Sequence, residues 1–301
     1  MSVASVRGTG SLGLANAAVL ARRGAVFAGR FLAVQAASVG FAAALFFGIA
    51  VTAYVPLPLA RYDALLLYVV CLTVGFYVAG WETGREVGVI CGFHLLGLCL
   101  EIYKVHVGSW VYPDAGVTKV AGVPLYAGFM YAAVGSYICQ AWRRMDLRVT
   151  GYRSLRLTLL AVALYANFYT DHFWFDLRWV LAALLLVELR ATWVHFSLGP
   201  NRYRLPLSLA FVLIGSMVWV AENAGTFLGA WRYPNQVDVW ELVHVGKVGS
   251  WSLLVSLSFV LVATVKSAEG RLYGHAGDVA SVEPRRWRPG GTRQRGELRS
   301  A

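Results

Sequence analysis

Residues 86–103 read Glu86-Val-Gly-Val-Ile-Cys-Gly-Phe-His94-Leu-Leu-Gly-Leu-Cys-Leu-Glu101-Ile-Tyr103. This stretch decides the fold class, because a helix of about 18 residues with so few charges can cross roughly 30 Å of hydrocarbon. Similar blocks fill the chain, and a scan with a window of about nineteen residues places candidate spans at 31–54, 63–81, 86–103, 118–142, 155–170, 177–198, 206–224 and 240–265. Composition agrees. Of 301 residues, 58% are hydrophobic and 14% charged, with a mean hydropathy of +0.57, whereas a soluble domain carries about a quarter charged residues. A soluble enzyme, a disordered chain and a secreted disulfide scaffold are excluded. The fold expected is all-α, a polytopic membrane helical bundle of about eight transmembrane helices.

The net charge of +11 is interpretable only through its distribution. Arg7, Arg22, Arg23 and Arg30 precede the first span, Arg143, Arg144, Arg148, Arg153 and Arg156 follow the fourth, and Arg190, Arg202 and Arg204 border the sixth. The tail from Lys266 is basic again. Short connections rich in arginine stay on the cytoplasmic side, so both termini are expected there, in a multi-pass protein of the cell (inner) membrane whose partner is the lipid bilayer. The Glu82–Glu86 connection, net negative, is the exception. No nucleic-acid partner is expected, since no RNA-binding or helix-turn-helix motif accompanies the charge. The expected organisation is a basic N-terminal segment 1–30, membrane repeats 31–142 and 143–265, and a basic disordered tail 266–301. The apolar stretch before Arg22 is short and lacks a small-residue cleavage site, so no cleavable signal peptide is expected. Cys71, Cys91, Cys99 and Cys139 lie in apolar blocks without Cys-x-x-Cys spacing. They read as small buried hydrophobes, with no disulfide framework or zinc site.

Two blocks share the pattern Glu-x6-Gly-small-Trp-x-Tyr-Pro. Glu101 leads to Gly108, Trp110, Tyr112 and Pro113, and Glu222 leads to Gly229, Trp231, Tyr233 and Pro234, at a constant offset of 121 residues. Each Glu ends one span and each Pro precedes the next. Two parallel four-helix repeats account for this arrangement, and such repeats place a shared site between halves.

The stretches GSWVYPD (108–114), AGVPLYAGFMY (121–131) and VGSYICQAW (134–142), with WVAENAGTFLGAWRYPNQ (219–236) and KVGSW (247–251), resemble the integral membrane family called domain of unknown function 817 (DUF817). More distantly, the acid followed by Trp-x-Tyr and then Gly122-Val-Pro124 is similar to membrane carotenoid-biosynthesis proteins, the heterodimeric lycopene cyclases and carotenoid hydratases. That likeness implies intramembrane acids that protonate a polyene and stabilise its cation. Leu125-Tyr126 stands where the cyclases carry a glutamate pair.

Candidate chemistry lies on the non-cytoplasmic face, where intramembrane polar groups are costly and tend to be functional. Glu101 and Glu222 are the expected acids, with Lys247, His172 and Asp171 as supporting charges. Trp110, Tyr112, Trp231, Tyr233, His94, Asn223 and His244 are expected to bind substrate. His94 and Glu101 are two turns apart on one helix face, and Glu101 has an alternative as the ion-pair partner of Lys104 at i+3. Asn167 and Asp171, and His172 and Asp176, are i,i+4 pairs if helical. Asp171 and Asp176 suit a hard divalent ion, but a single aspartate cluster lacks the doubled motifs of prenyl-diphosphate enzymes, and neither metal nor cofactor is expected. Glu241 and His244 are read on the eighth helix one turn before Lys247, whose expected counter-charge is Glu222 or Glu101. Two functions are weighed. A membrane-embedded enzyme acting on an apolar lipid or isoprenoid is placed ahead of a small-solute or ion transporter with a proton-coupled Glu/Lys/His network.

Overall fold

The computed structural model of the chain describes residues 8–171 and 173–273. Among them are nine α-helices: α1 (Gly8–Ser38), α2 (Gly40–Tyr54), α3 (Arg61–Val78), α4 (Gly84–His106), α5 (Gly128–Arg144), α6 (Ser154–Thr170), α7 (Arg178–Leu189), α8 (Leu207–Phe227) and α9 (Lys247–Ala268). Local chemistry sets their ends. A capping box starts α4, where Thr83 N donates to Glu86 Oε2 at 2.8 Å and Glu86 N donates to Thr83 Oγ1 at 3.3 Å, which satisfies amides the helix itself leaves open. After α2, Val55-Pro56-Leu57-Pro58 removes two amide donors and the helix cannot continue.

From α2 onward the helices run back and forth between two ends. One end brings Arg61 to Asp114 and Gly229, and Lys104 to Asp171. The other brings Trp81 to Gly40 and Gln140, Lys266 to Glu86, and Arg153 and Arg156 to Glu188. Helix α4 packs along α5, α8 along α9, and α9 also lies against α5 and α6. The outer surface is apolar, with Leu67, Leu159, Leu186 and Met217 all more than half exposed. A solvated surface would not carry so continuous an apolar cover.

Helices α3, α4, α8 and α9 are each long and apolar enough to cross a membrane, and α1 with α2, bent by 62° at their junction, makes a fifth if the pair counts as one span. The expected span 155–170 is α6; two other expected spans differ from their sequence reading. Residues 118–142 open with a two-stranded hairpin, β1 (Lys119–Val120) and β2 (Val123–Pro124), and a 3-10 turn before α5 begins. The expected span 177–198 is helical only as α7, whose 12 residues extend roughly 18 Å. Its remainder, Trp193–Leu198, is β4, which pairs with β3 (Arg148–Thr150) and β5 (Asn201–Pro206) in an antiparallel sheet with Phe196 opposite Tyr203. The apolar alternation of a half-buried strand was absorbed there into a hydropathy window. Phe27 and Phe31 of α1 cover this sheet, with ring centroids 4.8 Å from Tyr203 and 6.4 Å from Phe196. The eighth span begins at Lys247, so Glu241 and His244 are not helical. Helix α9 runs past the expected tail boundary at 266, and residues 274–301 lie outside the described residues. Three cysteines expected to be buried, Cys71, Cys91 and Cys99, are on the outer surface, and Cys139 is buried.

Close helix contact rests on glycine where α8 crosses α9. A Cβ at Gly215 would lie 2.6 Å from the Ser252 amide nitrogen, whereas one at Gly249 would meet nothing within 4 Å. Gly215→Ala must force the two helices apart and should cost about 1–3 kcal/mol, read as a lower thermal unfolding midpoint in detergent. Gly249→Ala, in the same helix pair, should leave the midpoint unchanged or raise it.

Candidate functional site

The ends of α4 and α8 are built alike. Gly108 and Gly229 take φ of +74° and +70°, a conformation that glycine adopts at no steric cost. In the first, Gly108 N donates to Val105 O at 3.0 Å and Ser109 N to Lys104 O at 2.8 Å; in the second, Gly229 N donates to Thr226 O and Ala230 N to Gly225 O, both at 3.0 Å. These paired bonds turn the chain back over the helix end. The two returning segments then meet, with Val111 N donating to Arg232 O and Arg232 N to Val111 O, each at 2.9 Å.

This reversal aims each aromatic segment at the glutamate preceding it. Glu101, 3% exposed, accepts from Trp110 Nε1 and Tyr112 OH on Oε2, both at 2.7 Å, and from Tyr131 OH on Oε1 at 2.8 Å. Glu222, 4% exposed, accepts from Tyr233 OH on Oε1 and from Trp251 Nε1 on Oε2 at 2.7 Å. The two cages touch. Trp110 packs edge-on to Tyr233 at 5.9 Å between centroids, and Tyr131 edge-on to Trp251 at 6.4 Å. Burial first, and then the adjacent carboxylates, hold the Tyr112 and Tyr233 phenols well above their usual range, so both remain hydrogen-bond donors.

Lys247 stands at the start of α9 with its ammonium 5.5 Å above the Trp110 ring and 4.7 Å above Tyr233. The expected ion pair with Glu101 or Glu222 does not form among the described residues; the ammonium lies on these π faces, while aromatic donors reach the carboxylates. Lys104 also differs from the i+3 reading. Its partner is Asp171 at 3.3 Å, and Arg178 joins the same carboxylate at 3.1 Å. Asp171 thus closes a Lys-Asp-Arg cluster at the cage's edge. Asp176 borders it, its Oδ2 3.7 Å from Arg178 Nη2, and accepts from Asn167 Nδ2 at 3.2 Å and from Arg178 N at 2.9 Å. Burial pushes its carboxyl up, but those two donors and the Arg178 charge outweigh it and leave the group lowered. Among the described residues no group of three His, Cys, Asp or Glu is arranged to hold a metal. His172 lies outside the described residues.

Other expected ligands do not join the cage. His94 packs on Phe129 at 4.3 Å between ring centroids, its Nδ1 buried without a hydrogen-bond partner among the described residues. Asn223 Oδ1 accepts from Val243 N at 2.8 Å and so fixes the loop before α9. His244 is exposed and accepts from Gly246 N at 3.1 Å. Trp231, expected to bind substrate, is buried against Gly225, and the indole that reaches Glu222 is that of Trp251. Tyr131, Trp251, Arg61 and Arg178 were missed. Tyr131 and Trp251 follow their glutamates by 30 and 29 residues, one position out of the 121-residue register, which sets Tyr131 against Ser252 and Met130 against Trp251, so the repeat gave no signal for them. Arg61 donates to Leu228 O at 2.8 Å, Gly229 O at 3.2 Å and Asp114 at 3.1 Å, fastening α3 to the end of α8.

Two further acids, Glu82 and Glu86, are buried at the opposite end. Glu82, 2% exposed, accepts from Ser136 Oγ at 2.5 Å while its Oε2 has no partner among the described residues. Burial raises its carboxyl above the ordinary value, nearby Glu86 adds to the rise, and the Ser136 bond opposes it.

Two outcomes follow from these carboxyls. Glu101→Ala leaves three buried donors unpaired, at about 1–3 kcal/mol each before relaxation, and should lower the unfolding midpoint well beyond Glu101→Gln, which keeps an acceptor. For Glu82 the folded state holds the proton more tightly than the unfolded one. Its contribution is therefore complete below the ordinary carboxyl value of 4.5 and is lost as pH rises toward the folded-state value. Wild type should lose stability relative to Glu82→Gln in a pH series upward from 4.5; parallel curves would remove this account of Glu82.

The chain was compared with known proteins. Residues 28–259 match the family model described as "Protein of unknown function (DUF817)". A relative, the "Uncharacterized protein YoaT" of Bacillus subtilis (strain 168), is 50% identical over 237 residues, covering 78% of this chain and 90% of that protein. No solved structure matches. The matched region takes in both glutamates, both aromatic returns and Lys247, and the chain belongs to the DUF817 family.

Proposed function

We propose that the protein is a membrane carrier for a small solute, with Glu101, Glu222 and Lys247 coupling its movement to protons. The carrying observation is that α4 and α9 bear ionisable groups at both ends. Glu101 and Lys247 belong to the cage at one end, and Glu86 lies 3.9 Å from Lys266 at the other. Lys247 over the Trp110 and Tyr233 rings at one end and Lys266 beside Glu86 at the other put a charged contact of α9 at each end, which suits alternate opening, one end closed while the other admits solute. In this reading the eight crossings are α2 to α9. They form two parallel repeats around the Val111–Arg232 bridge, with the cage outside the cell and both termini in the cytoplasm.

The second reading is the membrane-embedded enzyme acting on an apolar lipid or isoprenoid. It draws on two deeply shielded carboxylates amid Trp and Tyr, as in the carotenoid-type acids. We place it second because Lys247 already occupies the Trp110 and Tyr233 faces. An ammonium there repels a carbocation approaching the same rings.

Proteoliposomes loaded with a pH-sensitive dye and challenged with panels of small carboxylates, amines and sugars test the carrier. We expect at least one solute to drive proton movement in wild type, falling about tenfold or more in Glu101→Gln, the size of change expected from losing one essential proton site. If no solute moves protons, while lipid mass spectrometry of cells with and without the protein reveals a product that Glu101→Gln abolishes, the enzyme reading replaces it.

A further inference from the structure

At the end of the bundle opposite the cage, the start of α4, the end of α9 and the turn after it enclose a cleft of about 570 Å³. Its walls carry four cations, Arg85, Arg143, Lys266 and Arg271, against two carboxylates, Glu86 and Glu269. The cleft is therefore electropositive, and both acids are committed within it. Glu86 Oε2 receives Thr83 N and lies 3.5 Å from Arg143, while Oε1 lies 3.9 Å from Lys266. Glu269 meets Lys266 at 3.2 Å, Arg85 at 3.5 Å and Arg271 at 4.0 Å. Three cations converge on one carboxylate.

Lys266 is buried between the two acids and Arg143 also donates to Trp81 O, but the Arg85 and Arg271 contacts are loose. A charge-assisted N–H···O bond spans about 2.7–2.9 Å, so Arg85 and Arg271, with side chains 72% and 60% exposed, keep donors for another acceptor. A carboxylate ligand would engage one guanidinium fork. A phosphate group has the oxygens to engage several at once, and its negative charge offsets the excess. Gly84 and Arg85, in the first turn of α4, add amides that the helix leaves unbonded.

We propose that this cleft binds a phosphate group through Arg85, Arg143, Lys266 and Arg271, carried either by a lipid headgroup or by a free phosphate compound. The site does not depend on the carrier reading and would stand beside an enzyme equally well.

The full chain in detergent is titrated with inorganic phosphate, against chloride at matched ionic strength, and with short-chain phosphatidic acid against phosphatidylcholine, following the unfolding midpoint. The midpoint should rise with a phosphate ligand and not with its control. Arg85→Gln with Arg271→Gln should weaken apparent binding about tenfold or more while leaving the unliganded midpoint in place. Arg153→Gln with Arg156→Gln removes two charges at the same end outside the cleft, and should leave binding unchanged. A response to both ligands assigns a site for phosphate groups in general; a response to phosphatidic acid alone assigns a headgroup site. If neither ligand moves the midpoint, or the Arg153/Arg156 pair weakens binding as much as the Arg85/Arg271 pair, the proposal fails.

Discussion

A carboxylate taken out of water must be surrounded by donors, and in this protein that requirement falls on Glu101 and Glu222. Each sits near the end of a long apolar helix, where neither lipid nor backbone can supply an N–H or O–H. The supply comes from the chain itself, turned back over the helix end by Gly108 and Gly229 and presenting Tyr112 and Tyr233 eleven residues after each acid. The next helix adds one donor, Tyr131 or Trp251. Helix, reversal, aromatic return and following helix are thereby locked to one another twice, and the two locks abut through Trp110, Tyr233, Tyr131 and Trp251.

Lys247 completes this arrangement by an indirect route. Its ammonium lies on the electron-rich faces of rings whose polar edges already point at the glutamates. A cation over Trp and Tyr gains most where water is excluded, and among the described residues no direct ion pair links it to either acid. The Lys104, Asp171 and Arg178 cluster borders the same region. Arg61 pairs with Asp114 at this same end, while at the other end Arg143, Arg153 and Lys266 meet Glu86, Glu188 and Glu269. The apolar middle of the bundle separates two polar ends with different chemistry.

Much of this was legible from residue order. Apolar blocks marked the helices, and the repeated Glu-to-Tyr spacing marked the cage, because both are patterns within about a dozen residues along one segment. Lys104 illustrates where legibility stops. At i+3 from Glu101 it has an obvious local partner, yet Glu101 is met by Trp110, Tyr112 and Tyr131, and Lys104 turns to Asp171, 67 residues away. Trp251, not Trp231, reaches Glu222 for the same kind of reason, since Trp231 is spent packing on Gly225. The strand Trp193–Leu198 was hidden because hydropathy averaged over a window is blind to alternation.

Composition and short-range spacing alone determined that the chain is an apolar helical protein with two related acidic blocks. Those properties belong to single segments and survive without knowledge of their neighbours. Which donor reaches which acid, where Lys247 rests and how the basic end closes were decided only by tertiary structure. Hydrogen bonds and ion pairs between distant segments are settled by competition among all the groups brought within a few ångströms, and no local pattern records the outcome of that competition.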